Sequence, residues 1–240
     1  MHKLILDIGN TRTKAAVFDG DQLVDHVTVT GNGADRLEAL ARIHGPFQST
    51  MIASVAGTEP ELDGLLFGKL IRVRSGLKLP LKISYKTPET LGADRLANAV
   101  GAVHINPGRN CLVIDAGTCI KYDLITADGT YPGGMISPGI AMRFKALHKF
   151  TGKLPALKND GNIPALIGQS TDGSMRSGVI NGAFLEAEGV IGKLESEYGQ
   201  LDVILTGGDA GLFEGTLKNT IFAAPHLTLT GLKVILDHND

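Results

Sequence analysis

Hydrophobic positions along the chain form two kinds of pattern, apolar runs of strand length and apolar stripes at helical spacing. The strand-like runs are residues 4–8, 15–18, 23–29, 51–55, 81–85, 111–116, 119–125, 131–137 and 201–206. The helix-like stripes are residues 34–44, 59–71, 92–105, 141–149, 173–198, 212–218 and 230–236. Because strands and helices alternate, the pattern predicts an α/β fold.

The first apolar run leads without a spacer into a small polar turn. Asp7 lies near the end of the run, and Gly9, Asn10 and Thr11 follow it. A glycine, an amide, a hydroxyl and unblocked backbone N–H groups are suited to holding an anion. A buried ionised carboxylate is unfavourable unless it is compensated, so Asp7 either caps the turn or lies near phosphate and Mg²⁺. The pattern favours phosphate and predicts a β-hairpin followed by a third strand.

The middle of the chain repeats this arrangement. An apolar run again ends in an aspartate, Asp115, and continues through Thr118 and Lys121 into a second strand. Relative to this copy, the first carries one extra residue, Asn10. An internal repeat of this kind predicts two similar α/β halves with a nucleotide between them. The predicted halves are residues 1–110 and 111–240.

Gly-Ala-Asp-Arg also occurs twice, and the second copy is the more informative. Residues 33–36 begin an amphipathic helix, where the charges are expected on a solvated face. In residues 92–95, Asp94 and Arg95 enter a nearly uncharged run that should be buried. Adjacent charges at the start of a buried helix are unfavourable unless they serve a site or form a local ion pair. The residues leave both interpretations open and favour a site.

Composition narrows the class of protein. Of the 240 residues, 43% are hydrophobic, enough for a sizeable core, and the formal net charge is −2. Lys and Arg form no block, which argues against nucleic acid and anionic membranes as partners. Cys111 and Cys119 lie in apolar runs without Cys-x-x-Cys spacing and are predicted to be reduced. Without a signal-peptide pattern or a run of membrane-spanning length, we expect a soluble cytoplasmic protein.

Several well-known motifs do not occur in the sequence. Neither the P-loop pattern Gly-x-x-x-x-Gly-Lys-Ser/Thr nor the dinucleotide pattern Gly-x-Gly-x-x-Gly after a strand is found. His-Glu-x-x-His and Gly-x-Ser-x-Gly are also missing. The sequence therefore gives no support to a P-loop enzyme, a dinucleotide fold, a zinc hydrolase or an α/β-hydrolase.

The longest helical pattern, residues 173–198, is interrupted by glycines. Thr171 precedes it as a candidate helix cap, and residues 152–163 show no periodicity and are expected to form a mobile surface loop. Glycine costs about 1 kcal/mol in a helix interior, so these positions imply a kink or close approach to another helix. A homodimer contact is one candidate. The glycines are Gly178, Gly182, Gly189 and Gly192.

Five short motifs, taken in series across most of the chain, resemble the type III pantothenate kinase family. They are residues 7–14, Tyr85, residues 92–95, residues 115–118 and residues 133–139. The resemblance implies the α/β fold of the acetate and sugar kinase/Hsp70/actin superfamily, with two ribonuclease-H-like halves, ATP in the cleft and usually a homodimer. It also implies ATP-dependent phosphorylation of pantothenate to 4′-phosphopantothenate, the first step toward coenzyme A.

The same resemblance implies roles for matching residues. Asp94 would be the proton acceptor, Thr118 an ATP-phosphate contact and Asp115 a ligand of K⁺ or NH₄⁺, while residues 207–208 resemble an adenosine-side turn. The ATP-phosphate loop, with Asp7 near Mg²⁺, would be Asp7, Ile8, Gly9, Asn10, Thr11, Arg12, Thr13 and Lys14. Pantothenate would contact Tyr85, Gly92, Ala93, Asp94, Arg95 and Thr171. Some family members lack a charge at position 14, so a phosphate contact by Lys14 is inferred from its own charge.

Two other functions remain compatible with these motifs. Another small-molecule kinase or phosphatase of the superfamily would share both hairpins without acting on pantothenate. A non-catalytic accessory transcriptional regulator of the same fold is the second alternative, and the presence of Asp94 argues against it.

Overall fold

Two five-stranded sheets carry the fold, one in each of two units of the chain. The computed structural model describes residues 1–9, 12–30, 34–54, 68–74, 76–217 and 221–240. Unit 1 comprises Met1–Pro107, Gly129–Tyr131 and His226–Asp240, and unit 2 comprises Gly108–Asp128 and Pro132–Pro225. None of the helices within these described ranges has both the length and the apolar character that crossing a membrane requires.

The regular elements alternate along the chain much as the hydrophobic pattern predicts. The strands are β1 (His2–Ile8), β2 (Arg12–Asp19), β3 (Gln22–Thr30), β4 (Ser49–Ser54), β5 (Lys69–Arg72), β6 (Lys82–Ile83), β7 (Cys111–Ala116), β8 (Cys119–Ile125), β9 (Thr130–Tyr131), β10 (Gly133–Pro138), β11 (Asp202–Thr206) and β12 (Ile221–Ala223). The helices are α1 (Ala34–His44), α2 (Ala93–Ile105), α3 (Ile140–Lys149), α4 (Thr171–Tyr198), α5 (Ala210–Phe213) and α6 (Leu227–Asn239), with a 3₁₀ turn at Pro88–Thr90.

The two large sheets have the same topology. Unit 1 has the strand order β3-β2-β1-β4-β5, and unit 2 has the order β10-β8-β7-β11-β12. In each, two antiparallel strands lie on one side of the first strand, and two parallel strands lie on the other. The internal repeat in the sequence therefore corresponds to a repeat in topology. A separate two-stranded parallel sheet pairs β6 with β9 in unit 1.

The sheet of unit 1 is covered on both faces. Leu4 and Leu6 pack in a cluster with Leu37 and Leu40 of α1, whereas Ile5 packs in a second cluster with side chains of α2 and α6. Burial on both faces explains why β1 appears in the sequence as a continuous apolar run instead of an alternating one. In unit 2, one face of β7 packs against α3 and α4.

Helix α6 packs unusually closely against α2. A Cβ atom on Gly231 would lie 1.8 Å from the carbonyl oxygen of Ala97, and one on Gly101 would lie 2.8 Å from that of Leu227. The hydroxyl of Thr228 donates a buried 2.8 Å hydrogen bond to Asn98. Through these contacts α6 belongs to unit 1, so the units differ from the predicted division at 110/111, in which residues 226–240 lay in the second half.

The structure corrects several predictions from the pattern. Lys69–Arg72 forms a strand where the end of the helix at residues 59–71 was predicted, because β5 pairs with β4; residues 59–67 lie outside the described part. The helix predicted at 212–218 is instead the short α5 at Ala210–Phe213. Strand β12, at the edge of its sheet, was not predicted. Two of these errors concern short strands at the edge of a sheet, whose conformation depends on pairing with another strand.

We predict that Gly231→Ala lowers the free energy of unfolding by about 2 kcal/mol or more, because the new methyl group overlaps the α2 backbone, which cannot rotate away. The measurement is urea denaturation followed by circular dichroism. Gly211→Ala is the control: its Cβ meets open space, so the substitution should be neutral or raise stability by up to about 1 kcal/mol. A Gly231→Ala variant with the wild-type urea midpoint would contradict the close packing of α6 on α2.

Candidate functional site

The first hairpin places an aspartate and a lysine side by side. In the antiparallel register of β1 and β2, Asp7 lies directly opposite Lys14 and Ile8 lies opposite Thr13. The amide of Gly9 donates a 3.0 Å hydrogen bond to the carbonyl of Arg12. Asn10 and Thr11, which the sequence places at the tip, lie outside the described residues. The described part of this predicted phosphate loop is therefore a hairpin with paired charges at the end of its strands.

The second hairpin reproduces this arrangement in unit 2. Asp115 of β7 lies directly opposite Lys121 of β8, and the lysine Nζ is 2.7 Å from the aspartate Oδ2. Both side chains are largely buried, with exposed fractions of 13% and 14%. The connecting turn is closed by a 3.0 Å hydrogen bond from the amide of Gly117 to the carbonyl of Cys119. The residue expected to bind K⁺ or NH₄⁺ is thus paired with an ammonium group of the chain itself.

Two glycine turns press against the backbone of the second hairpin. The amide of Gly139 donates a 3.1 Å hydrogen bond to the carbonyl of Thr118, and a Cβ on Gly139 would lie 2.2 Å from the carbonyl oxygen of Gly117. Gly207 has a φ of +97°, and a Cβ there would lie 2.3 Å from the carbonyl oxygen of Ala116. Only glycine allows the main chains to approach this closely. The turn containing Thr118 is therefore held between two other turns of unit 2.

A hydrogen-bonded network around the Arg143–Glu186 ion pair holds the segment that leads into the Gly139 turn. Arg143 of α3 donates to the carbonyl of Pro138 at 2.8 Å, to the hydroxyl of Ser137 at 2.7 Å and to the carboxylate of Glu186 at 2.6 Å. Glu186, on α4, also accepts hydrogen bonds of 3.0 Å from Ser137 and Tyr122. The network therefore joins α3, α4, β8 and β10 at the residues that precede Gly139.

The network also shifts the acidity of its members. Burial, the largest effect on Glu186, would raise its pKa, but the hydrogen bonds from Arg143, Ser137 and Tyr122 outweigh it and hold the pKa below its ordinary value. Burial raises the pKa of Tyr122, and the neighbouring Glu186 carboxylate raises it further. Glu186 is therefore ionised and Tyr122 is neutral at physiological pH.

The aspartate of residues 92–95 lies in the first turn of α2. The backbone amide of Arg95 donates a 2.8 Å hydrogen bond to the Oδ1 of Asp94, which orients the carboxylate at the helix N-terminus. Gly92 is the N-cap residue, and a Cβ on it would lie 2.6 Å from the same Oδ1. A side chain at position 92 would displace the carboxylate, so the glycine and the aspartate of this motif form one local unit.

Arg95 and Tyr85 lie close together in unit 1. The Arg95 guanidinium carbon lies 5.7 Å from the centroid of the Tyr85 ring, within the range of a cation–π contact, although Arg95 itself is only 5% exposed. Tyr131, which is fully buried, lies 6.1 Å from Tyr85 between ring centroids. The pairing of β6 with β9 brings Tyr131 to this position, with the amide of Ser84 donating to the Tyr131 carbonyl at 2.9 Å.

The late threonine is placed differently from its predicted capping role. Ser170 is the N-cap of α4, and its hydroxyl accepts a 3.1 Å hydrogen bond from the amide of Gly173. Thr171 is the first helical residue and is exposed. The prediction that Thr171 caps the helix is therefore wrong, because the preceding serine has the extended backbone that a cap requires.

The sequence motifs include the hairpins and residues 92–95 but do not indicate the contacts that support them. In unit 1, the structure places Asp7 beside Lys14, Asp94 beside Gly92, and Arg95 beside Tyr85, with Ala93 between Gly92 and Asp94 at the start of α2. In unit 2, it places Asp115 at the base of the turn that contains Thr118. The residues missed are Ser137, Arg143, Glu186 and Tyr131. The motif at 133–139 was a signal for Ser137, but nothing in the sequence connects it to Glu186.

Comparison with known proteins gives the family. A family model described as type III pantothenate kinase matches residues 3–193. A type III pantothenate kinase from Phocaeicola vulgatus is 45% identical over 241 residues, covering 99% of this chain and 98% of the relative. The chain belongs to the type III pantothenate kinase family. This family is a family of enzymes, and the resemblance seen in the five motifs is confirmed along nearly the whole length.

Solved structures agree with the fold that family membership implies. A Baf family transcriptional activator from Campylobacter jejuni has a TM-score of 0.62 and 21% identity, with 98% of each chain covered. The activator of 2-hydroxyisocaproyl-CoA dehydratase from Clostridium difficile, solved with ADPNP bound, has a TM-score of 0.57 and 16% identity, covering 100% of this chain and 96% of that one. At these identities the similarity concerns the fold alone, and it confirms the predicted α/β fold of the actin/Hsp70 type.

We predict that Arg143→Met lowers the free energy of unfolding by about 1–3 kcal/mol, because it leaves the Glu186 carboxylate without its cationic partner. Arg109→Met is the control: the Arg109–Asp202 pair is in the same unit, but Arg109 is 51% exposed, so its loss should cost less than the loss of Arg143. Urea denaturation at pH 7 measures both.

The Arg143 effect should also depend on pH with a definite sign. Because the folded pKa of Glu186 is lowered, its contribution to stability is present above the ordinary glutamate pKa and is lost as pH falls through the folded pKa. The difference in free energy of unfolding between the wild type and Arg143→Met should therefore become smaller at acidic pH. If Arg143→Met and Arg109→Met lower the free energy of unfolding equally at pH 7, the network around Glu186 does not stabilise the protein more than an exposed ion pair does.

Proposed function

We propose that this protein is an ATP-dependent pantothenate kinase that forms 4′-phosphopantothenate, the first step of coenzyme A biosynthesis. One observation supports this most directly. In a chain of the type III pantothenate kinase family, the carboxylate of Asp94 is oriented at the start of α2, next to a buried Arg95 that lies under the Tyr85 ring. A carboxylate beside a buried guanidinium and an aromatic ring suits a small polar substrate that carries both a hydroxyl and a carboxylate.

In the proposed mechanism, Asp94 is the general base. Its carboxylate accepts the proton of the pantothenate primary hydroxyl as that oxygen forms a bond to the γ-phosphorus of ATP and the bond from that phosphorus to the ADP oxygen breaks. The hydrogen bond from the Arg95 amide to Oδ1 holds the carboxylate in position. Arg95, Tyr85, Gly92, Ala93 and Thr171 are proposed to hold pantothenate, with the Arg95 fork suited to its carboxylate.

The two hairpins are proposed to hold the phosphates of ATP. Residues 7–14 supply a half-buried residue with a carboxylate, Asp7, which lies directly opposite Lys14 in the strand register. Oxygen ligands of this kind fit Mg²⁺, which would neutralise charge on the phosphates when bound with ATP. Thr118 is proposed as a phosphate contact from the second hairpin. The cation expected at Asp115 is a separate matter, because Lys121 already lies against that carboxylate.

The proposed partners and location follow from this reaction. Pantothenate and ATP are small soluble metabolites, and the mixed surface charge with a net value of −2 gives no reason to expect nucleic acid or membrane as a partner. We propose a cytoplasmic location, consistent with the two free cysteines, Cys111 and Cys119.

We predict that Asp94→Asn retains ATP binding and loses turnover by about 100-fold or more, because the amide cannot accept the substrate proton. A coupled assay of ADP release, with and without pantothenate, measures this. Asp35→Asn is the matched control: it alters the other Gly-Ala-Asp-Arg copy, where the side chain is exposed on α1, and turnover should be unchanged. ADP release that does not depend on pantothenate in the wild type, or near-normal turnover by Asp94→Asn, would contradict the proposal.

We also propose that the protein is a homodimer with α4 at the interface. A Cβ on Gly178, Gly182, Gly189 or Gly192 would meet nothing within 4 Å in the described chain. These glycines and Leu185, which is 58% exposed, have a 4-3-4-3 spacing that places them on one side of the helix. Small residues at this spacing allow two helices to approach closely, and the family resemblance implies a second copy of the chain as the partner.

We predict that light scattering gives twice the 25.3 kDa chain mass for the wild type. Gly182→Glu places a charged side chain in the middle of the glycine side of α4 and should shift the protein toward monomer. Lys145→Glu, on the exposed side of α3, is the control and should leave the mass unchanged. A wild-type monomer, or a Gly182→Glu variant that stays dimeric, would exclude this interface.

A further inference from the structure

The Asp115–Lys121 pair is built into the second hairpin by its register. Asp115 has two direct neighbours across the sheet, Lys121 in β8 and Thr206 in β11, and of these only Lys121 carries a charge. Directly opposite side chains in a sheet have their Cβ atoms about 5 Å apart, so a lysine at this position meets the carboxylate without extending far. The observed Nζ–Oδ2 distance of 2.7 Å is that of a charge-assisted hydrogen bond.

Burial makes this pair different from an ordinary surface ion pair. With 13% and 14% of the side chains exposed, both charges are screened by solvent far less than in the Arg109–Asp202 pair, where the arginine is 51% exposed. A further monovalent cation at the Asp115 carboxylate would lie close to the Lys121 ammonium in this poorly screened position. One carboxylate can neutralise only one of these positive charges.

The pair also lies against the turn that is proposed to contact ATP. The Oδ1 of Asp115 is 3.7 Å from the position that a Cβ on Gly117 would occupy, and Thr118 follows directly. The turn is packed against Gly139 and Gly207, so its backbone has little room to move. A change in charge at Asp115 is therefore not relieved by a shift of the turn. A cation paired with Asp115 at this point keeps the carboxylate from placing a net negative charge next to phosphate bound by the turn.

We infer that Lys121 is a tethered cation that replaces a bound K⁺ or NH₄⁺ at Asp115, so that this protein binds and uses ATP without a monovalent cation. A lysine side chain ends in a substituted ammonium group, with the same charge as either ion and with N–H donors like those of NH₄⁺. Lys121 is thus a positioning residue that acts on the Gly117–Thr118 turn through Asp115. The inference rests on the proposed role of this turn in ATP binding.

The experiment measures ATP affinity by calorimetry in choline chloride and in KCl, without pantothenate. The wild type should bind ATP equally in both salts, within about twofold. Lys121→Met should bind about tenfold more weakly in choline chloride and recover in KCl, because removal of the ammonium opens the position to the ion. Lys121→Arg keeps the charge and should resemble the wild type. Lys145→Met removes an exposed lysine of the same unit and should have no effect.

Thermal melting in the same two salts gives a readout that needs neither ATP nor pantothenate. A cation that binds only the folded state raises the melting temperature, so KCl should stabilise Lys121→Met relative to choline chloride and should not do so for the wild type. Wild-type ATP binding that strengthens in KCl, or a Lys121→Met variant that binds ATP normally in choline chloride, overturns the inference. If no ATP binding is measurable, the absence of a K⁺-specific stabilisation of Lys121→Met overturns it.

Pantothenate turnover in the same salts separates this inference from the proposed function. ATP binding that follows the expected pattern without any phosphorylation of pantothenate supports the role of Lys121 and rejects pantothenate as substrate. Wild-type turnover of pantothenate that requires K⁺ supports the proposed kinase activity and rejects the inference that Lys121 replaces the monovalent cation.

Discussion

The antiparallel register of the two hairpins is the constraint on which the charged part of this protein depends. In each five-stranded sheet, the residue before the last of the first strand is an aspartate whose direct cross-strand neighbour is a lysine, Asp7 with Lys14 and Asp115 with Lys121. Because side chains in a strand alternate between faces, a shift of one residue in either hairpin would move the lysine to the opposite face. The register therefore decides whether each aspartate has a lysine as its direct neighbour, and the apolar run of the strand decides the register.

Close contact between main chains fixes the rest of unit 2 around this hairpin. Gly139 and Gly207 bring two turns against the backbone of residues 116–118, and Arg143 with Glu186 holds the segment that leads into the first of these turns. The glycines allow the main chains to approach closely, and the ion pair holds the segment in place through hydrogen bonds. In unit 1 the same division appears: Gly231 and Gly101 let α6 lie against α2, and the start of α2 carries Asp94 and Arg95.

Much of the fold could be predicted from particular residues, and so could the turns and the helix start that form the candidate site. The apolar runs predicted β1, β2, β7, β8 and β11, and the paired Asp–Gly–Thr–Lys order predicted that two sheets share one topology. Residues 92–95 were recognised because adjacent charges at the start of a buried helix are unfavourable unless they serve a site or form an ion pair. The helix predicted over residues 69–71 failed because β5 is exposed and short, and its strand conformation depends on pairing with β4 rather than on its own periodicity.

The amino-acid sequence was sufficient for most of the element types, the repeat, the family and the identity of the residues next to the turns, because these depend on local periodicity and on short motifs. It was not sufficient for the partners of those residues. Glu186 reaches Arg143, and Tyr131 reaches Tyr85, across gaps of more than forty residues that no periodicity spans. The sequence placed a lysine after Asp115, but only the folded hairpin brings its ammonium onto the carboxylate, because that contact requires both the register of the strands and the burial that removes water from the pair.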